Sequence, residues 1–226
     1  MKHLTWHAPL AGGGTGEEML LAFEGTSEPR LLMLPALFDE ANRMRRFTVQ
    51  AMRALSEQGI ASYLPDLPGC NESLAPLAEE TLATWRKAAE EAVHDAEATH
   101  VLAIRGGALI APPGLPSWFY APVSGGKIVR GMVRAGVVAA REAGEEVSSQ
   151  QLLERGRVEG VRLAGWPIGA AMFRELEQAE PLDDPQTVSI AQAQIPGRPL
   201  WLRAEPDEDE AASQELANIV AAGLGG

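Results

Sequence analysis

Between residues 19 and 104, short apolar runs bounded by Gly and Pro alternate with longer segments whose apolar residues recur every three or four positions. Few architectures accept such a chain. Residues 19–24 and 30–34 read as successive strands separated by the turn formers Gly25, Ser27 and Pro29, with Pro35 closing the second. Residues 43–58 carry Met44, Phe47, Met52 and Leu55 at helical spacing, and Gly59 stands where a helix cap belongs. Residues 60–64 read as a strand ending in the loop Pro65-Asp66-Leu67-Pro68-Gly69-Cys70, residues 81–96 as a helix and residues 100–104 as a buried strand. This order implies an α/β architecture in which parallel strands are joined by helical crossovers. Such sheets bind ligands beyond the carboxyl ends of their strands, here residues 35–46, 66–73, 105–108 and the stretch after Tyr120. Residues 117–121, 188–191 and 200–203 are expected as further strands and residues 207–222 as a last helix.

With 226 residues and no long polar stretch, residues 1–226 are expected to form one domain, the helix-rich segment 124–180 being inserted as a cap. The formal net charge of −12, with Lys and Arg dispersed, argues against nucleic acid as a partner. The single cysteine, Cys70, excludes an internal disulfide framework and fits a reducing compartment. The most apolar region, residues 101–123, is interrupted by Arg105, Pro112, Pro113 and Pro116, so no direct membrane span is expected. The opening MKHLTWHAPLAGGGTG has no continuous apolar segment, so no secretory signal is read and a cytoplasmic location is the default. The run Gly12-Gly13-Gly14-Thr15-Gly16 follows no convincing strand and reads as a flexible turn. Ser124-Gly125-Gly126-Lys127 lacks the complete phosphate-loop pattern, and no other motif calls for a cofactor or a metal. The acidic run 207–210 suits a helix N-terminus.

Four segments, LFDEANRMRR (37–46), DLPGCNES (66–73), LAIRGGALIA (102–111) and APVSGGKIVRGMVRAG (121–136), together resemble the exosortase A system-associated hydrolase 2 family. The resemblance implies an α/β-hydrolase-like fold: a mainly parallel central sheet with flanking helices and a helical cap. It also implies an exopolysaccharide or protein-sorting setting, in which a pathway protein would be a partner, and it supplies no substrate. In that superfamily a Gly-x-Ser-x-Gly turn presents a serine, and the acid and histidine follow later in the chain. The corresponding residues here are Ala103-Ile104-Arg105-Gly106-Gly107, which puts an arginine at the nucleophile position. A guanidinium stays protonated and cannot attack an acyl carbon. All four histidines, His3, His7, His94 and His100, precede this turn.

No catalytic residue is therefore assigned. Arg105 and Gly106 are candidates for binding an anion at the start of a following helix, or else Arg105 pairs with Asp39, Glu40 or Asp66 at neighbouring strand ends. The backbone at Leu37 and Phe38 is the candidate oxyanion-type surface. Asn42, Arg43, Arg45 and Arg46 either solvate the next helix or contact a ligand; Arg in a first turn opposes the macrodipole, which favours a specific partner. Cys70 is the alternative nucleophile, but sequence sets no base beside it, so loop packing is its default. Trp118, Tyr120 and Trp166 either pack in the core or line a pocket under the cap. Three functions follow. The first is a divergent hydrolase-fold protein binding a small acidic or acylated metabolite, the second an unconventional hydrolase or acyltransferase, and the third a noncatalytic assembly or regulatory partner.

Overall fold

The computed structural model describes residues 1–203 and 205–225. Its main sheet has seven strands in the order β1 (Lys2–Pro9), β2 (Thr15–Phe23), β4 (Ile60–Pro65), β3 (Ser27–Leu34), β5 (His100–Ile104), β6 (Ser117–Tyr120) and β9 (Thr187–Ile190). From β4 to β9 the strands are parallel, and β1 and β2 add an antiparallel edge. Strands β3, β4 and β5 are thus adjacent and parallel, as the alternation predicts.

Both faces of the parallel strands are covered, and the period of two decides which side chain goes where. Leu31, Met33, Leu102, Ile104, Trp118 and Tyr120 point to one face, where they join buried residues of α1 (Asp39–Glu57) and α6 (Glu210–Leu224). Leu32, Leu34, Val101, Ala103 and Phe119 point to the other, against α2 (Leu82–Asp95). That second cluster continues without a break into the segment between β6 and β9. There α3 (Gly125–Glu142), α4 (Ser149–Val158), the hairpin β7 (Val161–Leu163) and β8 (Trp166–Ile168), and α5 (Ala170–Gln178) contribute Met132, Leu152, Leu163 and Phe173. No helix among the described residues is long and apolar enough to cross a membrane.

Four expectations are corrected. Strand β1 is not evident in the sequence because only Trp6 and Ala8 are buried while His3, Thr5 and His7 fill the outward positions, and the glycine run is its hairpin turn, with positive φ at Gly13 and Gly14. Helix α1 begins at Asp39, so its first turn holds Asp39 and Glu40 and the arginines lie further along, where the dipole no longer disfavours them. The turn after β5 leads into a five-residue 3-10 segment, Arg105–Leu109, instead of a helix. A longer helix is blocked by Pro112 and Pro113 and by the contact of Gly107 with its surroundings, where a Cβ would lie 2.6 Å from the carbonyl oxygens of Leu34 and Pro35. Finally, Leu200–Leu202 is a 3-10 turn and adds no strand to the sheet.

Candidate functional site

The carboxyl ends of three neighbouring strands each carry a non-glycine residue at positive φ: Phe38 (54°) after β3, Arg105 (54°) after β5 and Ala121 (45°) after β6. Such conformations cost free energy and persist where surrounding contacts hold them. Arg105 shows the contacts. Its Nε and Nη2 donate to the two carboxylate oxygens of Glu40 at 2.9 and 3.0 Å, and Nη1 donates to the Ala121 carbonyl at 2.7 Å. The guanidinium carbon lies 4.1 Å from the centre of the Trp201 ring, giving a cation–π contact on its face. The side chain is 12% exposed and that of Glu40 22%. Of the three acids named as partners, Glu40 is the one used. Asp39 instead binds Arg43 at 2.6 Å, and Arg43 also donates to the Trp201 carbonyl at 3.1 Å.

Beside this assembly lies a cleft of about 450 Å³ between α1, the Arg105 turn, α3 and the Trp201 segment. Leu37, Phe38 and Arg105 line it. Gly106 packs beneath, where a Cβ would meet Ile128 and Leu37. Phe38 is fixed by ring contacts with Trp85 at 5.4 Å and with Trp166 of the β7–β8 hairpin at 5.9 Å. Trp166 therefore buttresses the cleft, whereas Trp118 and Tyr120 belong to the core on the α1 side, stacked on His100 and Phe47. Asn42 is exposed on α1, and Arg45 turns away from the cleft to donate to Asp66 at 2.9 Å.

Arg45, Cys70 and Asn71 instead border a crevice of about 20 Å³ on the other side of Phe38, room for about one water. Below it three carboxyl groups are buried: Glu18 of β2, Asp66 after β4 and Glu80 before α2. Arg45 and Asn71 both donate to Oδ1 of Asp66, the Ser73 hydroxyl donates to Glu18 at 2.6 Å, and the Ala11 amide reaches Glu80 at 3.4 Å. Burial, opposed in Glu18 by the Ser73 hydrogen bond and in Glu80 by Ala11, raises both glutamates above the ordinary carboxyl value. Burial and the nearby Asp66, Glu18 and Glu80 push the Cys70 thiol up to about 12. A thiol so held is neutral at physiological pH and a poor nucleophile. Ser73 also accepts from the Gly69 amide, so this loop is organised by its own polar residues.

The histidines lie elsewhere: His3 and His7 on β1, His94 on α2 and His100 at the amino end of β5. Sequence reasoning missed Trp201, read as a strand residue, and the cations Lys127 and Arg134 on the cleft side of α3. A seven-residue spacing on one helix was the available signal for the last two.

No family model matches the chain, and no curated protein does. Among solved structures it is similar to α/β-hydrolase domain-containing protein 10 from mouse, with 13% identity, a TM-score of 0.54, and coverage of 100% of this chain and 99% of that one. It is also similar to a protein of Agrobacterium vitis S4 proposed to be a hydrolase, with 14% identity, a TM-score of 0.51, and coverage of 99% and 100%. Against the epoxide hydrolase VrEH1 of Vigna radiata, with 14% identity and a TM-score of 0.40, 54% of the chain aligns and spans 40% of that protein's length. The two full-length likenesses, with the sheet order above, show the fold: a mostly parallel central sheet with flanking helices in the α/β-hydrolase arrangement.

Proposed function

We propose that this chain is a divergent α/β-hydrolase-fold protein without a Ser-His-acid triad, which binds a small acidic or acylated metabolite in the cleft beside Arg105. The observation that carries this reading is the state of Arg105. It occupies the strand-end turn where the fold's serine would stand, its three nitrogens each donate to Glu40 or Ala121, and its flat face lies on the Trp201 ring. A permanently charged guanidinium cannot open an acyl-transfer reaction. The cleft next to it nevertheless remains open at a volume ordinary for small-molecule sites, which favours binding over a vestigial surface serving assembly alone. The nucleophile candidate of the unconventional-hydrolase or acyltransferase alternative, Cys70, has a thiol held neutral, which disfavours that reading. The resemblance of the four segments supports an exopolysaccharide or exosortase-associated pathway as the setting, with a protein of that pathway as a partner, and the lone cysteine, Cys70, supports the cytoplasm as the compartment.

The test pairs a reaction with a binding measurement. Purified protein is offered p-nitrophenyl acetate and butyrate, and release of p-nitrophenol is compared with buffer. No turnover above background is expected, while acidic amphiphiles should change the intrinsic tryptophan fluorescence. Turnover that persists through further purification and disappears in Cys70→Ala would overturn the noncatalytic reading.

A further inference from the structure

We propose that Lys127 and Arg134 of α3, and not Arg105, hold the ligand's charge, and that the ligand is an amphiphilic anion: a carboxylate or phosphomonoester head on an apolar body. This rests on the binding reading above and adds which residues recognise what. Four cationic side chains and two carboxylates line the cleft. Arg105 is paired with Glu40 and Arg43 with Asp39, whereas Lys127 and Arg134 have no ion-pair partner among the described residues. The cleft thus keeps two uncompensated positive charges in a chain whose formal net charge is −12. Cations gathered at a concave surface focus the field there and attract anions against the charge of the whole molecule.

The spacing gives the site a shape. Lys127 and Arg134 are seven residues apart, so they stand about two turns, roughly 10 Å, apart on one face of α3. Gly131 lies between them, and a Cβ there would have nothing within 4 Å, leaving a notch without a side chain. Flexible side chains on either side of that notch can converge on one head group. The rest of the wall is apolar: Ile128 and Met132 come from α3, Val123 precedes it, and Leu202 opposite is 75% exposed. An inorganic anion would leave this wall in water, and a neutral apolar molecule would leave the two cations unused. An anion with an apolar body satisfies both.

The experiment titrates the intact protein by calorimetry with decanoate, octanoate, decyl phosphate, decanol and inorganic phosphate, the amphiphilic anions below their critical micelle concentrations and decanol below its solubility limit. Decanoate and decyl phosphate should bind at least tenfold more tightly than decanol or inorganic phosphate, and octanoate should bind more weakly than decanoate by about fourfold for each methylene removed. Whichever decyl anion binds more tightly identifies the head. The Lys127→Ala/Arg134→Ala double variant should lose at least tenfold for both anions. Gly131→Leu should abolish binding while its melting temperature holds or rises, since leucine favours an exposed helix more than glycine does. Anion binding untouched in the double variant but lost in Gly131→Leu overturns the assignment of the head and leaves the cleft reading standing. Decanol binding as tightly as decanoate overturns it likewise. If no probe binds, or neither variant changes binding, the cleft reading itself falls.

Discussion

Arg105 and Glu40 form a mutual dependency that single substitutions expose. Glu40→Gln leaves a largely buried guanidinium without a counter-charge, with one amide oxygen in place of two carboxylate oxygens beside the Ala121 carbonyl and Trp201. Its cost in a urea melt should be about 2–3 kcal/mol, below the ~3–5 kcal/mol of a fully enclosed pair because Glu40 keeps some contact with water. Arg105→Met on that background should restore much of the loss, since no charge is then stranded. A double variant as unstable as the sum of the singles would argue against the pairing. The buried glutamates make a second prediction. A carboxyl raised in the folded state favours folding while it is protonated, so its contribution is complete below pH 4.5, the ordinary value, and fades as pH climbs through the raised one. Glu18→Gln and Glu80→Gln keep the oxygen that accepts from Ser73 and from Ala11. Each should melt a few degrees above wild type at pH 8 and converge with it near pH 4. Variants less stable at both pH values would show that the carboxylates are stabilising when charged.

Within the elements, caps and close contacts matter more than propensity. Helix α2 starts at Thr81, whose hydroxyl accepts from the Thr84 amide. Thr81→Ala should cost about 1 kcal/mol, and Thr81→Ser should be nearly neutral. The Arg105 turn depends on Gly107 because the backbone of β3 comes so near. Gly107→Ala should be far more damaging, driving the protein into the insoluble fraction or lowering its melting temperature by more than Thr81→Ala does. Equal effects would mean that the turn can move aside. The helices α1 and α2 were legible because their apolar residues repeat at helical spacing on one buried face. Strand β1 and the true start of α1 were not, because edge strands carry polar residues and helix ends are set by caps.

For the molecule as a whole, the decisive matter is what the strand-end cleft can do. Arg105→Ser puts a serine at the turn after β5, yet β5 separates its amino-end His100 from that turn by five residues, roughly 16 Å of extended chain. This variant should hydrolyse p-nitrophenyl esters no faster than the wild type, with no burst of p-nitrophenol; a burst would reveal a base within reach. The sequence alone determined the α/β class, the parallel trio β3, β4 and β5 and the place of Arg105 at the turn after β5. All of these follow from local spacing or from the identity of a single residue. Tertiary structure alone decided which of three acids meets Arg105, that Trp201 lies across it, and that Lys127 and Arg134 border an open cleft. Arg105 and Glu40 are 65 residues apart, and their meeting depends on sheet order and on the register at which α1 leaves β3. Neither is encoded in any short stretch of chain, because both arise only when distant apolar faces pack together.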